Sequence, residues 1–298
     1  MRRHPVLGLP RPRTAIAAMA AVVTFATVLA AHDFWIVPSA FEVEAEGWVE
    51  VQGQTGTRFP ISVSAVTPDR VADARVIGAG SEERIPELSV RDKSLVLRHR
   101  PTTPGQRIIA VGLATRTNRE PAVTLKRYIA LEGAPELAER YEREGAFGNI
   151  DSVTRHTTKY AKTIVEVGRG GPRAFTRAAG HPLEWVPETD PSALRTGDTL
   201  AVRLLYRGRA LAGAHLHAGS AAESEVSSSS PETAPPRRDL TLTTDAAGIV
   251  RIPLHQAGLW NVRTLHAAPA ASGAVGEWEV AFATLVFRVT GGPAGPQP

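Results

Sequence analysis

From Phe34 onward the chain is a succession of short β-rich runs separated by turn chemistry, and that rhythm confines it to all-β architectures. Val49 and Val51 alternate with Glu50 and Gln52, and Ile61, Val63 and Ala65 alternate with Ser62 and Ser64. A period of two turns one side of a strand to a core and the other to water. Residues 90–98, 107–113 and 123–131 are further β-rich runs. Thr67-Pro68-Asp69 and Pro101-Thr102-Thr103-Pro104-Gly105 break the series with turn formers. Many short strands with regular breaks predict a sandwich or barrel.

The pattern changes at Pro135-Glu136-Leu137-Ala138-Glu139-Arg140-Tyr141-Glu142-Arg143, where helix formers follow a first-turn proline. Asp151 reads as the cap of a second short helix carrying Val153, His156, Tyr160 and Ala161. Strand-like runs resume at 183–186 and recur at 199–205, 210–218, 240–243, 249–254, 259–266 and 277–289. That is about seven, the number in an immunoglobulin-like or transthyretin-like sandwich. The expectation is two β-sandwich domains, over residues 32–134 and 181–290, joined by a helical connector over 135–180. The Ser- and Pro-rich insert 219–239 has too little apolar content to pack and reads as disordered, and 291–298 as a loose tail.

The first 31 residues carry the layout of an export signal. Arg2, Arg3, Arg11 and Arg13 precede an uncharged Ala-, Val- and Leu-rich run from 14 to 31 that ends in small residues. An uncleaved membrane anchor is the alternative, and cleavage falls after Ala30 or after Ala31. Four of the 34 basic residues and none of the 30 acidic ones precede His32. From His32 onward the two signs are therefore equal in number, and the net charge of +4 gives no argument for nucleic-acid or anionic-membrane binding. Cysteine is absent, which excludes disulfide-linked partners, thiolate catalysis and cysteine-ligated zinc. No catalytic triad in context, nucleophile elbow, phosphate loop or dinucleotide fingerprint appears. The five tryptophans would make a sugar-stacking platform only if they were aligned outside; core packing is their ordinary role.

The start Ala31-His32-Asp33-Phe34-Trp35-Ile36-Val37-Pro38 resembles that of an exported bacterial family of unknown function often labelled a NikM-like nickel or cobalt uptake component. The matches continue in order through Lys159-Tyr160-Ala161-Lys162, His181-Pro182-Leu183-Glu184, Gly197-Asp198 and Gly208 to Ala214. They end with Thr244 to Gly248, Trp260 to His266, Glu277-Trp278 and Ala283 to Phe287. The resemblance implies a two-domain β protein of the periplasm, with a carboxypeptidase-regulatory or transthyretin-like second half and a metal-uptake permease in the inner membrane as partner. Val280 replaces the family's usual serine. His215-Leu216-His217 stands where the family has apolar or small residues, so the resemblance gives that pair no ligand role.

Eight histidines follow the signal, and neutral imidazole suits nickel, cobalt and copper. If cleavage follows Ala31, His32 offers a metal both its α-amine, of ordinary pKa near 8, and its ring. If Ala31 is retained, that chelate fails. His266, at the end of a strand and within the family motif, is the chosen partner for His32; a histidine bonded to a backbone carbonyl is the plainer reading. His215 and His217 are two apart on a strand, so both project to one side, roughly 7 Å apart at their bases. Two solvated histidines on an outer face are the alternative. The expectation is a non-enzymatic exported protein that binds a divalent transition metal through His32 and His266, with His215 and His217 assisting. A cell-envelope module binding a glycan or protein, and a copper-dependent oxidase using the terminal chelate, are the rivals.

Overall fold

The fold is that of a computed structural model, which describes residues 33–131, 134–148, 150–222 and 239–292. Among the described residues it is all-β, with three sheets and a few short helices packed beside them. The first sheet runs β1 (Asp33–Pro38), β3 (Val49–Gly56), β7 (Ser94–His99), β6 (Glu87–Arg91). The ten-stranded central sheet runs β15 (Leu240–Thr243), β14 (His215–Ser220), β17 (Gly258–Pro269), β18 (Glu277–Val289), β10 (Ser152–Val167), β8 (Gly105–Leu113), β4 (Val71–Ile77), β5 (Glu82–Arg84). Two short strands, β2 (Glu42–Val43) and β9 (Arg116–Pro121), also pair with β10. The third sheet has β12 (Thr199–Tyr206) between β11 (Leu183–Pro187) and β16 (Ile249–Pro253), with β13 (Arg209–Ala210) paired to the end of β12.

Strand alternation gives the central sheet two unlike faces. The front carries His156, Thr158, Tyr160 and Lys162 of β10; the back carries Ala161, Thr163 and Val165. At the β14–β18 end the front packs on the third sheet: Val262, Leu285 and Phe287 meet Trp185, Leu200, Val202 and Leu204 in one buried cluster. At the β8–β4 end the back packs on the first sheet, where Val111, Val76 and Val165 meet Phe34, Ile36, Val51 and Leu97. The rest of the back is covered by α1 (Ala122–Leu131) and α2 (Pro135–Arg143), through Leu125, Ile129 and Tyr141 against Trp278, Val280 and Phe282. Two sandwiches thus share one sheet, offset onto opposite faces.

Four expectations are corrected. Residues 152–162, read as connector and helix, belong to the sixteen-residue strand β10, which pairs antiparallel with β8 and parallel with β18. Eight of its residues are β-branched and favour a pleated surface over a helix. The two halves therefore share a central strand, and everything described falls in one compact unit. Residues 123–131, read as a strand, fall in α1 (Ala122–Leu131), because Ala122, Leu125 and Ile129 recur at helical spacing and bury one stripe. Residues 61–65 hold only isolated bridges. Ser62 Oγ donates to Lys93 O at 2.6 Å instead, and Thr55 Oγ1 donates to Ser64 O at 2.7 Å. The expected insert begins late, since Gly219 and Ser220 close β14; the expected disorder over 223–238 and most of the expected tail lie outside the described residues.

Four of the five tryptophans, Trp35, Trp185, Trp260 and Trp278, are fully buried, and only Trp48 is exposed, under the Arg98 guanidinium. An external stacking platform of tryptophans is thereby ruled out: large apolar area fills the cores, with the Trp185 and Trp260 indole N–H groups bonded to backbone carbonyls.

Candidate functional site

The register of the central sheet decides which histidines share a side. His266 of β17 lies opposite Ala281 of β18, which in turn lies opposite Thr158 of β10; His156 lies opposite Glu279. All of these project to the front. The third sheet ends short of this row, at Tyr206 and Arg207, and leaves a cavity of about 330 Å³. His156, Tyr160, Tyr206, His266, Glu277 and Glu279 line it, together with the buried Ala281.

The groups around the cavity are only partly committed. Arg207 and the Tyr206 hydroxyl both donate to Glu279 Oε2. Ser272 donates to Glu277 Oε2 at 3.1 Å. His156 Nδ1 lies 3.0 Å from Thr117 Oγ1, and its Nε2 is 4.0 Å from Glu277. The His266 ring tilts against Tyr206, centroids 4.4 Å apart, and makes no hydrogen bond among the described residues. Burial, reinforced by the charges of Arg140 and Arg207, lowers its pKa to about 4. A neutral imidazole with its nitrogens unspent is therefore present at neutral pH.

His215 and His217 occupy the back of the same sheet. Leu216 and Ala218 alternate with them and are fully buried in front. His215 Nε2 is 2.8 Å from Glu136 Oε2 of α2. His217 Nδ1 is 3.3 Å from Thr241 Oγ1, and the residue lies directly opposite Arg263 of β17. Arg263 reaches Asp239 at 3.2 Å and Asp33, the first residue of β1, at 3.5 Å. The ligand set expected from sequence is thus divided: His215 and His217 share one face, and His266 is on the other, so one ion cannot take all three. His32 lies outside the described residues. Among the described residues no three His, Asp or Glu side chains are close enough to hold one metal ion.

A third polar group is structural. Lys162, on the front of β10, and Glu184, on β11, form an ion pair of 2.9 Å whose side chains are each only 1% exposed. Glu184 also accepts from the Ala179 and Gly180 amides at 2.7 and 2.9 Å. Beside it the His181 ring stacks on Tyr160, centroids 4.8 Å apart, and bonds Asp73 Oδ2 at 3.1 Å. Against the cost of burial, bonds from His181 and Arg75 hold the Asp73 carboxyl below its ordinary range. His181 therefore ties β4 to the segment entering β11.

No sequence pattern points to chemistry at His156, Tyr206, Glu277 or Glu279. The signal available for His156 was its strand parity with Thr158 and Tyr160, which the helical reading of 152–162 concealed. His99 and His255 lie elsewhere, the first 3.9 Å from Glu83 and the second edge-on to Trp260.

A family model described as a domain of unknown function (DUF4198) matches residues 29–268. No curated protein matches the sequence. Among solved structures, the D0-D1 domain of intimin is 10% identical, with 86% of this chain and 98% of that one aligned at a TM-score of 0.20. An Escherichia coli alpha-2-macroglobulin activated by porcine elastase is 11% identical over 87% of this chain at a TM-score of 0.24; this chain spans about a fifth of its length, 20%. The Yersinia pseudotuberculosis adhesin InvE is 14% identical over 85% of this chain and 58% of its own, at a TM-score of 0.17. Likeness at this level carries no functional argument.

Proposed function

The chain belongs to this DUF4198 family, and on that premise we propose that it is an exported periplasmic protein that binds a divalent transition metal ion, nickel, cobalt or copper, as cargo for uptake or handling. The proposed ligands are the amine and ring of His32, the residue before β1, with His217 and His215. One observation carries the reading: Asp33 is anchored on Arg263, and Arg263 is the cross-strand neighbour of His217. Residues directly opposite in an antiparallel pair have Cβ atoms about 5 Å apart. Asp33, and with it the start of β1, therefore stands on the side of the sheet on which His215 and His217 project.

Charge supports the same place. Arg263 alone would repel a cation, but Asp33 and Asp239 both lie against it and offset its charge. The donors are nitrogen and carboxylate, which suit copper and nickel. His266, on the opposite face, has no part in this site. The resemblance to nickel and cobalt uptake components supports delivery to an inner-membrane permease. It also supports reading the third sheet with its share of the central sheet as the transthyretin-like half.

Calorimetry with Cu(II), Ni(II) and Co(II) on protein beginning at a free His32 tests the proposal. His32→Ala and His217→Ala are each expected to weaken binding by at least about tenfold, about 1.4 kcal/mol, and His266→Ala to leave it unchanged. Unaltered affinity after His32→Ala overturns the site. Mass spectrometry of the exported protein is expected to find His32 as its first residue.

A further inference from the structure

The front cavity is separate from the metal site, on the other face of the sheet, and is built for a ligand of its own. Its spare hydrogen-bonding capacity is specific. Arg207 and Tyr206 both use Glu279 Oε2, and Ser272 uses Glu277 Oε2. The second oxygen of each carboxylate has no hydrogen bond among the described residues. His156 Nε2, at 4.0 Å from Glu277, is beyond hydrogen-bond range. Both nitrogens of the neutral His266 ring are also unspent. These groups come from three adjacent strands and surround the bare methyl of Ala281.

The composition of the wall selects the ligand class. Two carboxylates against one guanidinium disfavour an anion. A bare cation has no point of convergence, since no three carboxylate or imidazole groups among the described residues lie close enough to hold one. An ammonium would have Glu277 alone, since Glu279 is already paired with Arg207, and Arg140 and Arg207 make the His266 end positive, so it would leave both imidazoles unused. What remains is a neutral molecule that offers donors and acceptors side by side. Vicinal hydroxyls do this: they donate to the free carboxylate oxygens and both give to and receive from neutral imidazoles. The Tyr206 ring supplies an apolar surface at the same wall. At about 330 Å³ the cavity is at the small end of ligand sites, about 300–1,000 Å³.

We propose that the cavity formed by His156, Glu277, Glu279, His266 and Tyr206 over Ala281 binds a neutral, hydroxyl-rich small molecule of the size of a sugar ring.

The test is an amide chemical-shift titration of the protein from His32 onward with glucose, galactose, xylose, N-acetylglucosamine and sorbitol, and separately with ethanolamine and inorganic phosphate. At least one of the first five is expected to bind in the millimolar range and to move the amides of Ala281, His266 and Glu279. Glu277→Gln, at a half-exposed position that leaves the fold intact, is expected to weaken it by about tenfold, the value of one charge-assisted hydrogen bond. Ala281→Leu, which fills the cavity, is expected to abolish it while the titration of Cu(II) at the other face is retained. Three results overturn the proposal: no movement of these amides with any of the five, movement with ethanolamine or phosphate instead, or saccharide binding that both substitutions leave unchanged.

Discussion

Glu184→Ala is expected to lower stability by about 3–5 kcal/mol, the cost of leaving a buried charge without its partner. Lys162 Nζ sits 2.9 Å from Glu184, and each side chain is 1% exposed. Burial already pushes the Lys162 ammonium below its ordinary pKa, and Glu184 is the group that opposes this. Removing the carboxylate also strips the Ala179 and Gly180 amides of their acceptor. Lys162→Met is expected to cost less, because the carboxylate it strands keeps those two donors. Lys162→Met with Glu184→Leu together should recover part of the loss, since an apolar pair of similar volume removes both desolvation penalties. Urea unfolding at neutral pH reads all three, and a fall of about 10 °C in Tm should accompany the single Glu184 change. A loss below about 1 kcal/mol would mean that Lys162 finds another partner, and the pair would not be the tie between the central and third sheets.

The same pair shows where sequence reading stops. Lys159-Tyr160-Ala161-Lys162 and His181-Pro182-Leu183-Glu184 stand out in the chain as motifs, but nothing in either says that Lys162 meets Glu184 or that Tyr160 lies on His181. Those contacts come from strand order, with β10 against β18 and β11 folded over the front. All-β character was legible because alternation is a local property, as in Val49 and Val51 of β3. Parity within one strand was legible too, and His215 and His217 do lie on one face with Leu216 and Ala218 on the other. Parity between strands was not. Whether His266 joins that pair depends on the register of β14, β17 and β18, and it places them on opposite faces. At 152–162, apolar residues at three- and four-residue spacing imitated a helix, and only tertiary pairing favoured the β-branched residues of β10.

The largest effect of pH above the carboxylate range is expected from His266. The cavity wall keeps its ring neutral: burial, then Arg140 of α2 and Arg207 beyond β12, lower its pKa to about 4, while Tyr206 packs on the ring and Glu279 of the adjacent strand is occupied by Arg207. In the unfolded chain the same imidazole titrates near 6.5. Above about pH 6.5 it is neutral in both states and stability is unaffected. Between about 6.5 and 4 the unfolded chain takes up a proton that the folded chain refuses, so stability falls by about 1.4 kcal/mol per pH unit, about 3 kcal/mol in all. Below about 4 both states carry the proton and this slope ends. Asp73 and Asp190, whose carboxyls are held below their ordinary range, lose their contributions at lower pH still. His99 is also lowered by burial, so the comparison must be between the natural protein and His266→Gln. Denaturant unfolding at intervals from pH 7 to 4 is expected to show the natural protein losing about 3 kcal/mol more than the variant. Parallel curves would mean that the ring is wetter than its burial implies, and the front cavity would then present a titrating imidazole in place of a neutral one.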